Sequence, residues 1–302
     1  MSVFSRVVTS SLQSRPLKRL ITGTRPGRAL AARFVAGDTL SEAVGIASEL
    51  NAKGYLVSLD LLGEEVHDEA SAKNALDEYL ECLDSIDAND LDANISVKLT
   101  QLGLSIDRDL AIESVSTLIT RAKEVGTSVT IDMEDSRYTA DTVDIYEVVQ
   151  RRHGNVGIAL QSYLKRTPDD LERLIALKGH IRLCKGAYVE PPEVALTVKA
   201  AVDDAYARQL KVLMAAEDVR PAVATHDLKL VDLARELAPQ RLGYFEFQML
   251  YGVRTALQER LVEEGHPLRI YLPFGSQWYP YLTRRMAERP ANVWFFIRSL
   301  FG

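Results

Sequence analysis

From Tyr55 onward the chain repeats one pattern. A short apolar run, β-branched or leucine-rich, is followed by a longer segment whose apolar residues recur every three or four positions. The short runs are residues 55–60, 94–99, 128–133, 156–161, 180–185, 221–226, 243–248 and 269–274. Helical periodicity fills 68–85, 108–125, 139–152, 168–177, 192–217, 227–238 and 253–264, and a last helix is expected from Ser276. Asp107 and the turn Thr167-Pro168-Asp169-Asp170 have the chemistry of helix starts. Gly126, Gly154, Gly179 and Gly265 fall where helices should end. Strands and helices in eightfold alternation predict an α/β fold of the (β/α)8 TIM barrel type. The other fold of this pattern, an open doubly wound sheet, usually carries a Gly-rich first turn, and neither G-x-G-x-x-G nor a Walker sequence is present. Residues 1–50 read as N-terminal accessory helices and 51–302 as the barrel.

Alternation along each strand separates two sets of side chains. Residues such as Ile95, Val97, Ile158, Leu160, Ile181, Leu183, Phe245 and Phe247 should face the surrounding helices. The opposite set should face the barrel interior, and at the strand ends it is polar: Asp60, Lys98, Asp132, Gln161, Arg182, His226, Gln248 and Tyr271. Ionised groups inside a barrel are costly unless paired or met by a ligand. Barrel enzymes place their active sites at this end, so the pattern predicts a binding or catalytic site there.

Composition narrows what such a site could serve. The 302 residues are 47% apolar and 26% charged, as in soluble globular proteins. A net charge of −6 argues against a general nucleic-acid binder. No apolar run approaches the roughly 18 residues that span a bilayer. Cys82 and Cys184 give neither a metal spacing nor a disulfide framework, and a reducing cytoplasm is the simplest compartment. The first 37 residues carry arginines at 6, 15, 19, 25, 28 and 33, Lys18 and no acid. They read either as a mitochondrial import segment or as a basic amphipathic start to the domain that touches an anionic membrane surface.

The candidate chemistry is anionic-ligand chemistry. Lys98, Arg182, Lys185, Arg284 and Arg285 outnumber Glu64, Asp132 and Glu246 at the expected mouth. On the last helix Tyr281, Arg284, Arg285 and Glu288 are three and four residues apart and share a face. Adjacent arginines there form a permanently charged fork suited to a carboxylate or phosphate; a solvated helix face is the alternative. The Lys185-Gly186-Ala187-Tyr188 turn lets backbone approach a phosphate. No metal motif of the HExxH kind and no G-x-S-x-G elbow is present. Lys98 could be a Schiff-base lysine of a barrel aldolase, or only an ion-pair partner of Asp132. His226 reads equally as a structural histidine, Cys184 as a buried inert thiol, and the apolar tail 293–301 as packing or a membrane contact.

Together RFVAG (33–37), LDLLGE (59–64), SVKLTQLG (96–103), TIDMEDS (130–136), ALQSYLKR (159–166), IRLCKGAY (181–188), ATHD (224–227), FEFQMLYG (245–252) and the stretch from Tyr271 to Asn292 resemble the FAD-dependent proline dehydrogenase family in its monofunctional bacterial form. The resemblance implies a distorted barrel with a final helix over its mouth. It implies oxidation of L-proline to 1-pyrroline-5-carboxylate by hydride transfer to FAD, with electrons passed to a membrane quinone. This is the first step of proline catabolism to glutamate. By the same resemblance Asp132 and Arg182 are catalytic. Lys98, Arg284, Arg285, Tyr271, Tyr281, Tyr188, Leu183 and Glu64 contact substrate, with Glu64 pairing to Arg284. Met133, Gln161, Arg182, Lys185, Gly186, Ala187, Thr225 and His226 contact the flavin. Peripheral membrane contact on the cytoplasmic face is implied, as is a separate 1-pyrroline-5-carboxylate dehydrogenase downstream. The RFVAG match favours reading the N-terminus as mostly part of the domain over an import segment.

Overall fold

The computed structural model describes residues 28–29, 31–63 and 65–288, with side chains described as far as Thr283. Helix α1 (Leu40–Asn51) leads into strand β1 (Leu56–Leu61), and strands and helices then alternate to the end of the described chain. The order is α2 (Glu69–Ala88), β2 (Ala93–Val97), α3 (Arg108–Glu124), β3 (Val129–Ile131), α4 (Thr139–His153), β4 (Val156–Gln161), α5 (Thr167–Ile175) and β5 (His180–Cys184). It continues with α6 (Lys199–Ala215), β6 (Arg220–Ala224), α7 (Leu228–Leu237), β7 (Glu246–Leu250), α8 (Thr255–Glu263), β8 (Leu268–Phe274) and α9 (Trp278–Glu288). All strand pairings are parallel, in sequence order, and β8 returns to β1, which closes the barrel.

Local chemistry sets the boundaries. The Asp107 side chain accepts from the Asp109 N–H and starts α3. Pro168 sits in the first turn of α5, where its missing N–H costs nothing. Gly154 ends α4 in the left-handed region, φ 73°. Gly179 is not such a cap: Lys178 takes the left-handed turn at φ 54°, and Gly179 passes beneath Tyr146, whose hydroxyl would lie 1.9 Å from an added Cβ. Strand β7 begins three residues later than the expected 243 and ends two later. Helix α6 begins only after the proline-containing loop 189–198.

Outward strand residues such as Leu59, Val97, Ile131, Ile158, Leu183, Phe247 and Ile270 are fully or almost fully buried. They form one core with Tyr79, Leu118, Tyr146, Tyr206 and Leu261 from the helices. Each such side chain contributes about 1.5–3 kcal/mol by leaving water. A second, smaller core lies elsewhere. Trp278, Tyr279, Tyr281 and Leu282 of α9 pack on Leu62 and on Ala31, Phe34 and Val35. The Ala36 N–H donates to the Pro273 carbonyl at 2.8 Å, the Gly275 N–H to Gly37 at 2.9 Å, and Trp278 Nε1 to Asp38 at 2.9 Å. These contacts bind the segment before α1 to the turn that launches α9.

Candidate active site

A cavity of about 1000 Å3 opens where the strands end. Its wall includes Asp60, Lys98, Asp132, Gln161, Arg182, Gln248 and Tyr271, each inward-facing on or just past its strand. Gln277 just before α9 and Pro280 and Tyr281 in its first turn line the same space, so the last helix forms part of the cavity and does not pack beside the barrel. Strand alternation thus delivers the polar set to one place, and the second core fixes the cover above it.

The floor is a cluster of four charges and a phenol. Asp132 Oδ1 accepts from Arg182 Nη1 at 2.5 Å and from Ser96 Oγ at 2.7 Å; its Oδ2 accepts from the Tyr271 hydroxyl at 2.6 Å. Lys98 Nζ lies 2.6 Å from Asp60 Oδ1 and 3.6 Å from Asp132 Oδ2. The closer partner of Lys98 is therefore Asp60, not the Asp132 that sequence suggested. The Arg182 guanidinium also stacks over the Tyr271 ring, 5.2 Å from its centroid. Burial opposes ionisation of Asp132, but Arg182 and then Lys98 outweigh it and hold the carboxyl below its ordinary range. Burial dominates at Asp60 and raises its carboxyl, with Lys98 offsetting part of the effect. Burial also works against the Lys98 ammonium, yet Asp60 overcomes it and keeps the group charged well above its ordinary value.

Arg182 donates Nε to Gln248 Oε1 at 2.5 Å and Nη1 to Ser96 Oγ at 3.0 Å, while its buried Nη2 meets no acceptor among the described residues. A buried donor without a partner costs about 1–3 kcal/mol. An acceptor on a bound molecule would remove that cost. Beside it, the 185–188 turn comes close to β4. Gln161 spans the gap: its Oε1 accepts from the Ala187 N–H at 3.1 Å and its Nε2 donates to the Glu134 carbonyl at 2.8 Å. Gly186 has φ 123°, and a Cβ there would lie 2.3 Å from the Tyr163 ring, so only glycine allows this turn. Lys185 Nζ is held by Asp203 at 2.5 Å and Asp227 at 2.7 Å, at the N-terminus of α7.

Met133, Tyr188, Thr225 and His226 also line the cavity. His226 Nε2 accepts from the Leu250 N–H at 3.1 Å, which fixes a neutral tautomer and gives this residue a structural duty in addition to its place on the wall. Cys184 is half-buried on the wall, with its thiol pushed up to about 11 by burial, so it is no nucleophile at neutral pH. Leu183 is a correction. It lies in the outward core and is absent from the cavity wall, because Arg182 and Cys184 on either side occupy the inward positions. Glu64 and the side chains of Arg284 and Arg285 lie outside the described residues; positions 284 and 285 fall on α9.

The structure adds residues that sequence reasoning passed over. Glu134 lies on the wall and accepts from both the backbone N–H of Thr100, at 3.1 Å, and its hydroxyl, at 2.5 Å. Burial raises the Glu134 carboxyl and these bonds offset part of that. Ser96 joins Asp132 and Arg182. Among the described residues no group of three or more His, Cys, Asp or Glu could hold a metal ion, and no helix is long and apolar enough to cross a membrane.

Comparison with known proteins gives a consistent result. The family profile for proline dehydrogenase matches residues 43–298. Proline dehydrogenase 1 of Bacillus subtilis subsp. natto is 36% identical over 281 residues, covering 92% of each chain. Proline dehydrogenase of Deinococcus radiodurans is 37% identical over 279 residues, covering 90% of each. The bifunctional protein PutA of Escherichia coli is 29% identical over 89% of this chain but only 24% of its own length. Among solved structures, proline utilization A of Bdellovibrio bacteriovorus, inactivated by N-propargylglycine, superposes with a TM-score of 0.83 at 23% identity, over 94% of this chain and 36% of that one. The fold, the matched span and relatives covered over nearly their full length lead to one assignment: the chain belongs to the proline dehydrogenase family, oxidoreductases that act on proline.

Proposed function

We propose that the enzyme oxidises L-proline to 1-pyrroline-5-carboxylate with FAD bound in the strand-end cavity and a membrane quinone as electron acceptor. The observation that carries this reading is the buried Arg182 Nη2, which meets no acceptor among the described residues at the floor of a cavity of about 1000 Å3. The residues fit a flavin. Arg182 would meet a ring acceptor. Gln161 and the backbone of Met133 would flank the ring, and Lys185, Gly186, Ala187, Thr225 and His226 would hold the rest of the cofactor. When bound, FAD supplies the acceptor for the hydride equivalent that leaves C5 of the pyrrolidine ring.

The chain's own residues orient and discharge the substrate. Arg284 and Arg285 would clamp the proline carboxylate, with Glu64 pairing to Arg284 when the site closes. Tyr271, Tyr281 and Tyr188 would bound the ring. Asp132 keeps Arg182 and Tyr271 in place through bonds of 2.5 and 2.6 Å. An aldolase would need Lys98 as a free amine, whereas Asp60 holds it as an ammonium at 2.6 Å. Peripheral contact with the membrane, where the quinone resides, and a separate dehydrogenase for the product complete the reading.

Purified protein should be yellow, and its flavin absorbance should bleach on anaerobic addition of L-proline without a nicotinamide. Colourless protein that cannot be reconstituted with FAD would sink the proposal. Arg285→Met should raise the proline KM about tenfold or more with flavin retained, equivalent to about 1.4 kcal/mol of lost charge-assisted binding. An unchanged KM removes Arg285 from the site.

A further inference from the structure

Oxidation of a secondary amine requires that the substrate nitrogen give up a proton, and Lys98 and Asp132 are the obvious groups to receive it. The structure argues against both as its final holder. Asp132 already takes three donors, Arg182 Nη1, Ser96 Oγ and the Tyr271 hydroxyl, and protonating it would break the bonds that keep Arg182 in place. Lys98 is already an ammonium, held by Asp60 at 2.6 Å, and cannot accept a proton without releasing one.

Asp60 is a carboxylate with Lys98 as its one ion-pair partner among the described residues, so it carries no proton of its own and does not hold Arg182. It lies at the end of β1, 1% exposed, and Lys98 Nζ is its hydrogen-bonded cation. The groups around it, among the described residues, are Lys98 past the end of β2, Asp132 past β3, Tyr271 on β8 and, further out, Tyr79 on α2. Two carboxylates flank one ammonium, so neutralising Asp60 relieves repulsion with Asp132 and leaves the Asp132–Lys98 attraction intact.

We propose that Asp60 is the terminal acceptor of the substrate amine proton, reached through Lys98. This rests on the proline-oxidising reading above. The ammonium of Lys98 passes a proton to Asp60 Oδ1 and takes one from the substrate nitrogen. Two N–H bonds break, on Lys98 and on the substrate; one O–H forms on Asp60 and one N–H forms on Lys98. The products are a neutral amine, a Lys98 ammonium and an Asp60 carboxylic acid, with no change in redox state. Lys98 touches the substrate. Asp60 acts through it and is a positioning residue that also stores the proton.

The test is stopped-flow bleaching of the flavin by L-proline, without acceptor, as a function of pH. In the wild-type enzyme the rate rises with pH along a limb set by Asp60. In Asp60→Asn the neutral-pH rate should fall about 100-fold and the limb should move to higher pH, while Asp60→Glu recovers much of the rate. Binding of tetrahydrofuran-2-carboxylate, which has a ring oxygen and no amine proton, should change about threefold at most, because the step it skips is the one disturbed. An unmoved limb, or an equal loss at every pH, overturns the proposal. If Asp60→Asn does not fold, rapid-scan infrared spectra of the wild-type enzyme decide it. A protonated-carboxyl band should rise with bleaching and shift in Asp60→Glu; no such band overturns the proposal. Wild-type protein that proline does not bleach defeats the proposed function, whereas bleaching with an unmoved limb defeats this inference alone.

Discussion

Where the strands begin, Glu246 accepts from Arg269 Nε at 2.8 Å, from the Tyr244 hydroxyl at 2.8 Å and from Gln248 Nε2 at 2.5 Å, and Arg269 goes on to the Val57 carbonyl at 2.9 Å. Where the strands end, Asp60, Lys98, Asp132 and Arg182 are paired just as closely, yet they face a cavity and leave Arg182 Nη2 without an acceptor among the described residues. Both regions bury ions inside one barrel. Each leaves one buried nitrogen without a hydrogen bond among the described residues, His180 Nε2 at the starts and Arg182 Nη2 at the ends, but the second belongs to a cavity wall with room for a guest. Gln248 joins them, accepting from Arg182 on one side and donating to Glu246 on the other. Function at one end is therefore oriented by packing at the other.

The comparison breaks if the two ends respond alike to mutation. The largest effect expected is on stability, at the strand starts. Glu246→Gln leaves the half-buried Arg269 guanidinium without its buried counter-charge and should cost about 3 kcal/mol in urea unfolding. Arg182→Lys, at the strand ends, should instead cost catalysis: proline-driven flavin reduction slows about 100-fold, because an ammonium cannot make the forked contacts, while the unfolding midpoint moves far less.

The pH dependence of stability should have opposite signs at the two ends. Burial works against the Glu246 carboxylate, but Arg269 and then His180 hold it well below the ordinary 4.5. Its stabilisation is present above 4.5 and is lost as pH falls through the folded value, so Glu246→Gln should lose less stability than wild type on acidification. Glu134 on the cavity wall is raised above 4.5 by burial, so its contribution is full below 4.5 and is lost as pH rises through the folded value. Glu134→Gln should therefore lose less stability than wild type between pH 4.5 and neutrality. Matching slopes for the two variants would remove the distinction. The smallest effect is at Tyr244, 47% exposed: Tyr244→Phe should cost about 1 kcal/mol for one hydrogen bond and leave turnover unchanged.

Period-two alternation made the barrel and its inward polar set legible in the sequence. The parity of Ile181, Arg182, Leu183 and Cys184 came out as the pattern requires, against the family-based placement of Leu183 at the substrate. The expected β7 starts too early because Tyr244 looks like a strand residue, but pairing begins only at Glu246 with β6 and at Phe247 with β8. What the sequence could not show is which inward charge meets which. Asp60 reaches Lys98, and Thr100 reaches Glu134, across 38 and 34 residues of chain. Those meetings depend on the stagger between neighbouring strands and on rotamers, and no local pattern encodes either.

The hydrogen bond from Trp278 to Asp38 joins residues 240 positions apart, and the backbone bonds at Ala36 and Gly275 tie the same two segments. On the ribosome, the early segment must wait for almost the whole barrel to be made before its partner emerges. The cavity is thus completed last, by the longest loop closure in the described chain, and its cover belongs to the late-forming and first-opening part of the protein. A nascent chain halted after β8 should protect its strands from hydrogen exchange while leaving residues 31–37 exchanging freely.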